Sequence, residues 1–517
     1  MARKTLPSPL QRTLREEFGF HALRAGQAEV IRAVLARRDI LAVMPTGAGK
    51  SLCYQLPGLH LDGTTVIVSP LLSLIKDQHD KLRELGRDAR RLDSTVPAGE
   101  EAETLAALAA GDVEFLFVTP ERLAADEFLR RLKQAHVDFV VVDEAHCVSQ
   151  WGHDFRPDYL EIGRALDALG RPPLLALTAT AGPQVVADLR EHLRSPELEV
   201  VETALYRPNL HLAVLPMAGD ETKRLAVEEE LRRAEGAGIV YTATVRHCDE
   251  LTAHLRAAGF EVEAYHGRLP KSRRNEVQDR FMAGDLPVVV ATNAFGMGID
   301  KADLRFVLHY DLPGSLDAYY QEAGRAGREG QPARCTLLYD LADRKVQAFL
   351  LATGAPRGED VPVVWDAFAA GDEAETGGHG ASAGEVRELA VAGVVEASGL
   401  SRQRVRTALQ ALVRLGLVGR RRGRYRRIAE DLDPKLLAQL AREYSERREA
   451  DRARLARMER YAQTALCRWA NVLAYFADEA PDDPAWTCGH CDSCERPLPE
   501  EVRFPDGEAA ARLAADG

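Results

Sequence analysis

The sequence predicts an α/β protein with two parallel-sheet lobes, followed by a winged-helix-like module and a helical module that contains clustered cysteines. Three observations support this architecture. Short apolar runs alternate with amphipathic stretches over the larger N-terminal part, an arginine-rich stretch without carboxylates follows, and four of the eight cysteines lie close to the C-terminus. A chain of 517 residues has room for about three or four domains.

The apolar runs have the length and composition of buried strands. Each leads into a polar or glycine-rich turn, which is typical of a parallel sheet covered by helices on both faces. The runs are too many for one compact sheet, so we expect two lobes joined by a hinge near residues 206–210, where Pro208 interrupts the pattern. The predicted strands are 40–43, 65–68, 115–118, 139–142, 174–177, 239–241, 288–291 and 306–309.

The charge distribution is uneven along the chain. The net charge of −12 argues by itself against nucleic-acid binding, but residues 397–429 contain ten arginines and no carboxylate. Such a basic island favours nucleic-acid binding, with a solvated face or a genome rich in arginine as the alternatives. The chain has no long uncharged apolar stretch, and its charged N-terminus lacks the apolar segment of a signal peptide, so we expect a cytoplasmic protein.

A phosphate-binding loop follows the first predicted strand. Residues 44–51, Met-Pro-Thr-Gly-Ala-Gly-Lys-Ser, match the P-loop except that Met44 replaces the first glycine. Successive backbone N–H groups would wrap the phosphates of ATP, Lys50 would neutralise the β- and γ-phosphates, and Ser51 would bind Mg²⁺. A plain surface turn is the alternative. The residues assigned to nucleotide binding here are Thr46, Gly47, Gly49, Lys50 and Ser51.

Two carboxylates follow a later strand of the same lobe. Asp143 and Glu144 come directly after residues 139–142, and the carboxyl end of a parallel strand is where α/β proteins bind ligands. Asp143 can hold the Mg²⁺ shell, and Glu144 can polarise the attacking water. An acidic loop is a common alternative, but a P-loop followed by this pair in one lobe favours ATP hydrolysis.

Two arginines in the second lobe complete the predicted site. Arg325 and Arg328 are three residues apart and would share one face if a helix begins here. A planar guanidinium suits the charge that spreads over a transferring phosphoryl group, so we assign both as catalytic fingers supplied across the cleft. A surface pair beside acidic residues is an equally good interpretation of this motif alone.

The cysteines near the C-terminus have the spacing of a structural zinc site. Cys488, Cys491 and Cys494 are three residues apart, and Cys467 lies upstream at the start of an apolar helix. Four thiolates close a tetrahedral Zn²⁺ shell and leave no open position for catalysis. His490 competes with Cys467 as the fourth ligand.

The arginine-rich stretch has the pattern of a winged helix. One helix ends before Gly399, Ser401 caps a second helix, and a basic hairpin spans residues 419–428. The second helix would present Arg404, and the hairpin Arg422, to DNA phosphates. A protein-contact module of the same shape is the alternative.

The order of these motifs resembles that of superfamily 2 helicases and, within them, of the RecQ family. The helicase motifs run in order through residues 18–330, and the hinge sequence Arg-Pro-Asn-Leu at 207–210 is also present. The matching stretches are 18–27, 44–51, 69–78, 118–122, 143–146, 177–181, 265–267, 291–301 and 321–328.

Residues 149–159 are the most RecQ-like piece and look like the family's aromatic-rich loop, which couples DNA contact to ATP hydrolysis. Trp151 and Phe155 would stack on unpaired bases, Arg156 would add charge, and His153 lies between them. Burial of the two rings in a core is the alternative, which the dense polar and glycine residues around them disfavour.

The resemblance implies two RecA-like lobes and a 3′-to-5′ DNA helicase that uses ATP and Mg²⁺ to unwind duplex or branched DNA in repair and recombination. It implies that Gln27 recognises adenine with Arg24 nearby, and that Asp300 belongs to the nucleotide site. Thr178 and Thr180 would link the ATP site to the DNA groove, and Cys467 would be the fourth Zn²⁺ ligand. The partners would be single-stranded and duplex DNA of the nucleoid.

The chain departs from the familiar RecQ order, in which the zinc module precedes the winged helix. Here the winged-helix-like stretch comes first, so the family's strand-separating hairpin cannot be carried over residue by residue. The expected domains are lobe 1 over 1–207, lobe 2 over 208–345, a linker or insertion over 346–385, the winged-helix-like module over 386–430, the zinc module over 431–496 and a tail over 497–517.

Two other functions stay open from the sequence. An RNA helicase or remodeller would use the same ATP site, although the aromatic loop and the cysteine module favour DNA. A non-motor DNA-binding regulator with a vestigial ATPase is the other alternative, against which the intact Lys50, Glu144 and Arg328 speak.

Overall fold

The structure is a computed structural model that describes residues 6–149, 156–295, 301–328, 330–354, 357–368, 388–421, 424–429, 431–476 and 486–496. The chain forms two compact units, of which the second comprises residues 345–456 and the first comprises the residues on either side. No helix within the described ranges is long and apolar enough to span a membrane.

The first lobe is built on a parallel sheet. Its strands are β1 (Ile40–Val43), β2 (Thr64–Val68), β3 (Ala89–Leu92), β4 (Phe115–Val118), β5 (Val137–Val142), β6 (Leu174–Thr178) and β7 (Glu199–Glu202). Over the described residues their order is β3-β4-β2-β5-β6-β1-β7. Leu41 and Val43 pack into the core on one face of the sheet, and Ile40 and Ala42 into the core on the other, as expected of a strand covered on both sides.

Helices cover both faces of this sheet. They are α1 (Ser8–Glu16), α2 (Gln27–Leu35), α3 (Leu52–Gly58), α4 (Leu72–Glu84), α5 (Ala98–Ala110), α6 (Pro120–Leu123), α7 (Asp126–Leu132), α8 (Ile162–Ala168) and α9 (Pro183–His192). Two 3₁₀ turns, Ala145–Val148 and Pro157–Glu161, follow β5.

The second lobe repeats the design. Its strands β8 (Leu210–Pro216), β9 (Ala237–Tyr241), β10 (Val262–Tyr265), β11 (Val288–Ala291), β12 (Leu304–His309) and β13 (Ala333–Tyr339) form a parallel sheet in the order β10-β11-β9-β12-β13-β8 within the described ranges. Its helices are α10 (Asp220–Arg233), α11 (Val245–Ala257), α12 (Lys271–Ala283), α13 (Leu316–Ala323) and α14 (Asp343–Gly354). The predicted two-lobe α/β fold is confirmed, and all eight predicted strands are present.

The cysteine module packs against the edge strand of the second lobe. Trp469 is fully buried, and its indole N–H donates to the Leu210 carbonyl at 3.1 Å. The Val214 N–H, on the outer edge of β8, donates to Asp492 at 2.9 Å, and Arg468 donates to the same carboxylate at 2.8 and 3.0 Å. The module therefore satisfies backbone groups that an open sheet edge would leave exposed. Its helices are α19 (Arg468–Phe476) and α20 (Asp492–Glu495).

The second unit contains the helix–turn–helix and the hairpin that the sequence predicts. Its helices are α15 (Asp360–Asp366), α16 (Val391–Ser398) and α17 (Arg402–Arg414), and its antiparallel strands are β14 (Leu389–Ala390), β15 (Val418–Arg421) and β16 (Arg424–Arg427). Gly399 has a left-handed φ of 66°, and the Ser401 hydroxyl accepts a hydrogen bond from the Arg404 N–H at 3.5 Å. Both features match the turn and the N-cap expected there.

Two expected boundaries differ from the structure. The stretch 346–385, expected to be a linker or insertion, contains α15, whose Val361, Val364 and Trp365 are buried in the core of the second unit. The glycine and acidic residues that dominate the stretch hid this apolar stripe at helical spacing. The long helix α18 (Pro434–Gln463) begins in the second unit and ends in the first, so the expected zinc module over 431–496 is divided within this helix.

Candidate active site and metal centre

The P-loop connects β1 to α3 and depends on two glycines with left-handed backbone. Gly47 has φ 84° and Gly49 has φ 81°. A Cβ at Gly49 would lie 2.5 Å from the Gln27 side-chain nitrogen, and one at Gly47 would lie 3.0 Å from Cγ of Arg328. Met44, which replaces the first glycine, has a fully buried side chain, so the departure from the pattern fills the core below the loop.

Lys50 lies at the centre of this loop. Its side chain is half-buried, and the ammonium donates to the Met44 carbonyl at 3.1 Å. Burial lowers the pKa of Lys50, and the charges of Glu144 and Asp143 oppose this shift. The lysine therefore sits beside the two predicted catalytic carboxylates.

Asp143 and Glu144 follow β5, which lies next but one to β1 in the sheet. Asp143 is buried and accepts a hydrogen bond from the Ser69 hydroxyl at 3.3 Å. Burial and the neighbouring charge of Glu144 raise the pKa of Asp143 to about 7. Glu144 has a φ of 48°, a left-handed conformation that is costly for a residue with a side chain and recurs at functional sites.

Thr178 ends β6, the strand between β5 and β1, and connects the two motifs. Its carbonyl accepts from the Met44 N–H at 3.0 Å. Its hydroxyl donates to the Thr180 carbonyl at 2.9 Å and lies 3.0 Å from Nδ1 of His146. Because that hydroxyl proton is already donated, the contact assigns a proton to Nδ1 of His146, which also lies 3.4 Å from Glu144. The sequence places His146 within a motif but assigns it no role.

The two arginines of the second lobe reach the same cleft. A cavity of about 430 Å³ is lined by Lys50, Asp143, Glu144, Arg325 and Arg328. The expectation that the arginines share a helix face is wrong, because α13 ends at Ala323 and both follow it in turns. Within the described residues, Nε of Arg325 is buried without a hydrogen-bond partner, as expected of a group that binds an anionic ligand.

Gln27 and Arg24 hold the P-loop from the other side. The Gln27 amide donates to the carbonyls of Ala48 at 3.2 Å and Gly49 at 2.9 Å, and its oxygen accepts from the Arg24 N–H at 2.8 Å. The Arg24 guanidinium donates to the Gly47 carbonyl. Adenine recognition by this pair stays a prediction, but both side chains line the cavity beside the glycine loop.

The structure describes only two of the predicted DNA-contact residues, Arg156 and Arg404. Trp151, His153, Phe155 and Arg422, together with the nucleotide-site residue Asp300, lie outside the described residues. The Arg156 guanidinium donates to the Pro70 carbonyl at 3.3 Å. Arg404 forms a bidentate ion pair with the buried carboxylate of Asp360, so its side chain stabilises the second unit. The DNA roles of Arg156 and Arg404 stay predictions.

The four C-terminal thiols form a metal centre. The sulfur atoms of Cys467, Cys488, Cys491 and Cys494 all lie within 4.8 Å of one another, and a tetrahedral Zn²⁺ site requires separations of about 3.8 Å. Three backbone N–H groups point at these sulfurs: Arg468 N at Cys491, Cys488 N at Cys467 and His490 N at Cys488, over 3.3–3.5 Å.

Such donors stabilise thiolates, so the residues fit Zn²⁺. His490 is turned away, with Nδ1 2.8 Å from the Cys488 carbonyl, which favours Cys467 as the fourth ligand. The metal would hold the end of α18 to α19 and α20 and would take no part in the reaction.

Family comparisons agree with this geometry. Residues 24–189 match the DEAD/DEAH box helicase model, 222–330 the helicase conserved C-terminal domain and 425–495 the RecQ zinc-binding model. The probable ATP-dependent DNA helicase RecS of Bacillus subtilis (strain 168) is 39% identical over 354 residues, which are 68% of this chain and 71% of that protein. The chain belongs to the RecQ family.

Other RecQ-family proteins match over a smaller share of their length. The ATP-dependent DNA helicase RecQ of Bacillus subtilis (strain 168) is 45% identical over 343 residues, 66% of this chain and 58% of that protein. The matched part spans 34–58% of the first curated relatives. The solved Mycobacterium smegmatis helicase Lhr bound to ssDNA and AMP-PNP has a TM-score of 0.54 at 20% identity, covering 83% of this chain and 61% of that one, which shows a shared fold.

The metal centre predicts a specific pattern of zinc loss. Cys494→Ser is expected to abolish stoichiometric Zn²⁺ and to lower the thermal unfolding midpoint, because zinc binding and local folding are coupled. His490→Ala, the control, should retain the metal because its ring faces a carbonyl. Metal content by atomic emission and thermal unfolding check this. Zinc loss in His490→Ala would instead make the histidine a ligand.

The raised pKa of Asp143 predicts pH-dependent Mg²⁺ binding. The carboxyl is protonated below about pH 7, and Mg²⁺ must displace that proton. The Mg²⁺ concentration needed for half-maximal binding of fluorescent ADP should therefore rise about tenfold per pH unit below 7. Glu144→Gln should move this rise to lower pH, because it removes the second cause of the shift, whereas Glu84→Gln on the exposed face of α4 should not. A flat profile between pH 6 and 8 contradicts the assignment.

Proposed function

We propose that the protein is an ATP-driven DNA helicase that moves 3′ to 5′ on single-stranded DNA and unwinds duplex or branched DNA in repair and recombination, in the cytoplasm at the nucleoid. The observation that carries this proposal is the single cleft shared by Lys50, Asp143 and Glu144 of one lobe and Arg325 and Arg328 of the other. A nucleotide in this cleft would contact both lobes, so its hydrolysis would change their separation.

The residues supply each part of a magnesium-assisted attack of water on the γ-phosphate. Lys50 would exchange the Met44 carbonyl for the β- and γ-phosphates, and Ser51 and Asp143 would hold Mg²⁺. Glu144 would orient the water. Arg325 and Arg328 would neutralise the charge that develops on the transferred group, the contribution that arginine fingers make in related reactions.

The anchors of the aromatic-rich loop support coupling between DNA and ATP. The residues that flank 150–155 are bonded to backbone carbonyls of Asp143 and of the turn that follows it: Tyr159 donates its hydroxyl proton to the Asp143 carbonyl at 2.8 Å, and the Arg156 N–H donates to the Cys147 carbonyl at 2.9 Å. A base stacked on Trp151 or Phe155 would therefore act on a loop whose end is bonded to the catalytic strand.

The proposal predicts ATP hydrolysis that depends on DNA. Single-stranded DNA should stimulate steady-state hydrolysis strongly, single-stranded RNA should not, and Trp151→Ala should lose the stimulation. Lys50→Ala should abolish hydrolysis and unwinding, while Lys133→Ala, an exposed lysine of the same lobe outside the helicase motifs, should not. Duplexes with a 3′ tail should be unwound and those with a 5′ tail should not. Unwinding by Lys50→Ala, or stimulation by RNA alone, contradicts the proposal.

The second unit offers a basic surface for duplex phosphates. Arg404 forms an ion pair with Asp360, and Arg414 forms one with Glu443 at 2.7 Å. Arg402 and Arg406 are exposed, one turn apart on α17, and Arg424 and Arg426 are exposed on β16. We propose that the exposed arginines, and not Arg404, contact DNA.

This division predicts two different mutant phenotypes. Arg402→Ala with Arg406→Ala should reduce the slope of log affinity for duplex DNA against log salt by about 0.9 for each phosphate that is no longer neutralised, with unchanged stability. Arg404→Ala should instead destabilise the unit by about 1–3 kcal/mol, because it leaves the buried Asp360 unpaired. Salt titrations of duplex binding and urea unfolding separate the two. A normal salt slope in the Arg402/Arg406 variant would exclude this surface.

A further inference from the structure

Arg207 lies between β7 and β8, at the junction of the two lobes, and bonds both walls of the cleft. Its guanidinium donates to three carbonyls of the turn that carries the catalytic arginines: Nη1 to Gly324 at 2.6 Å, and Nη2 to Ala326 at 2.9 Å and Gly327 at 2.6 Å. Nη1 also donates to the Thr46 carbonyl of the P-loop at 3.4 Å. One side chain thus connects the hinge, the P-loop and the arginine turn.

This contact requires an arginine. A guanidinium holds five N–H donors in a fixed plane, whereas a lysine ammonium is a single point charge. Three of the four carbonyls that Arg207 binds lie beyond the end of α13, where regular helical hydrogen bonding has stopped. The Arg207 guanidinium therefore fixes the backbone path of the turn that follows α13.

Asn209 secures the other end of the same turn. Its amide donates to the carbonyls of Gly327 at 2.7 Å and Gln331 at 2.9 Å. Gly327 has a φ of 61°, and a Cβ there would lie 2.4 Å from the Asn209 nitrogen, so the close approach requires glycine. Arg325 and Arg328 are thus carried on a segment held from the hinge at both ends.

We infer that Arg207 is a positioning residue for ATP hydrolysis, which holds Arg325 and Arg328 against the P-loop and ties their position to the hinge. The inference rests on the proposed function. Within the described residues, the cavity that contains Lys50 is not lined by Arg207, so loss of Arg207 should leave ATP binding in place while it displaces the fingers. A displacement of about 1 Å lowers a rate about a hundredfold.

The first test separates turnover from binding. In Arg207→Gln, kcat for basal ATP hydrolysis should fall about a hundredfold, while the affinity for fluorescent ADP stays within about twofold of the wild type. Arg207→Lys should recover little of the loss. Arg171→Gln is the matched control, because Arg171 also donates to a backbone carbonyl, that of Leu193 at 3.0 Å. Arg171 lies just before the amino end of β6, whereas the ATP site lies at the carboxyl ends of the strands. Equal losses of kcat and affinity would overturn the inference.

The second test asks whether Arg207 acts through the fingers. In an Arg325→Ala/Arg328→Ala background, Arg207→Gln should cause no further loss of the single-turnover rate, since there is nothing left to position. The same fold-loss in both backgrounds overturns the inference, as does a normal kcat in Arg207→Gln. A wild type that hydrolyses ATP without unwinding DNA contradicts only the proposed function, and a wild type that does not hydrolyse ATP contradicts both.

Discussion

In a parallel sheet that is buried on both faces, polar side chains can gather only where the strands end. This constraint governs the first lobe. Most residues of β1, β5 and β6 are apolar and buried, and Lys50, Asp143 and Thr178 meet at the carboxyl ends of these three adjacent strands. The same edge exposes the backbone N–H groups of the glycine loop, and an anionic ligand is the partner that such an edge can bind.

The charges at this edge compensate one another. Lys50 lies beside two carboxylates, and Asp143 has its pKa raised to about 7 by burial and by Glu144. A bound magnesium–nucleotide would bring both a cation for the carboxylates and phosphates for the lysine. In the structure the Lys50 ammonium donates to the Met44 carbonyl, and bound phosphates would offer it a charged acceptor instead.

The sequence predicted those parts of the site that local rules determine. Strand runs, the glycine loop and the carboxylate pair are readable because each depends on neighbours in the chain, as does the N-cap at Ser401. Arg207 was readable only as part of a hinge motif, because its four carbonyl partners belong to residues more than a hundred positions away. In the first sheet the strands β3 and β7 were missed, since their sequences, Ala-Arg-Arg-Leu and Glu-Val-Val-Glu, carry charges at the two edges of the sheet; in the second sheet β8, β10 and β13 were missed as well.

The winged-helix-like module can precede the zinc cysteines because the chain leaves and re-enters the first unit at neighbouring points. Arg344, the last residue before the second unit, lies 3.2 Å from Glu459, just after the chain returns. Departure and return at neighbouring points are what a domain insertion requires, because the host then needs no rearrangement. The first unit keeps its own contacts across this point: Tyr461 packs on Tyr319 with its hydroxyl 3.2 Å away, and Trp469 and Asp492 cover β8. The metal module therefore docks on the second lobe through contacts that lie wholly within the first unit.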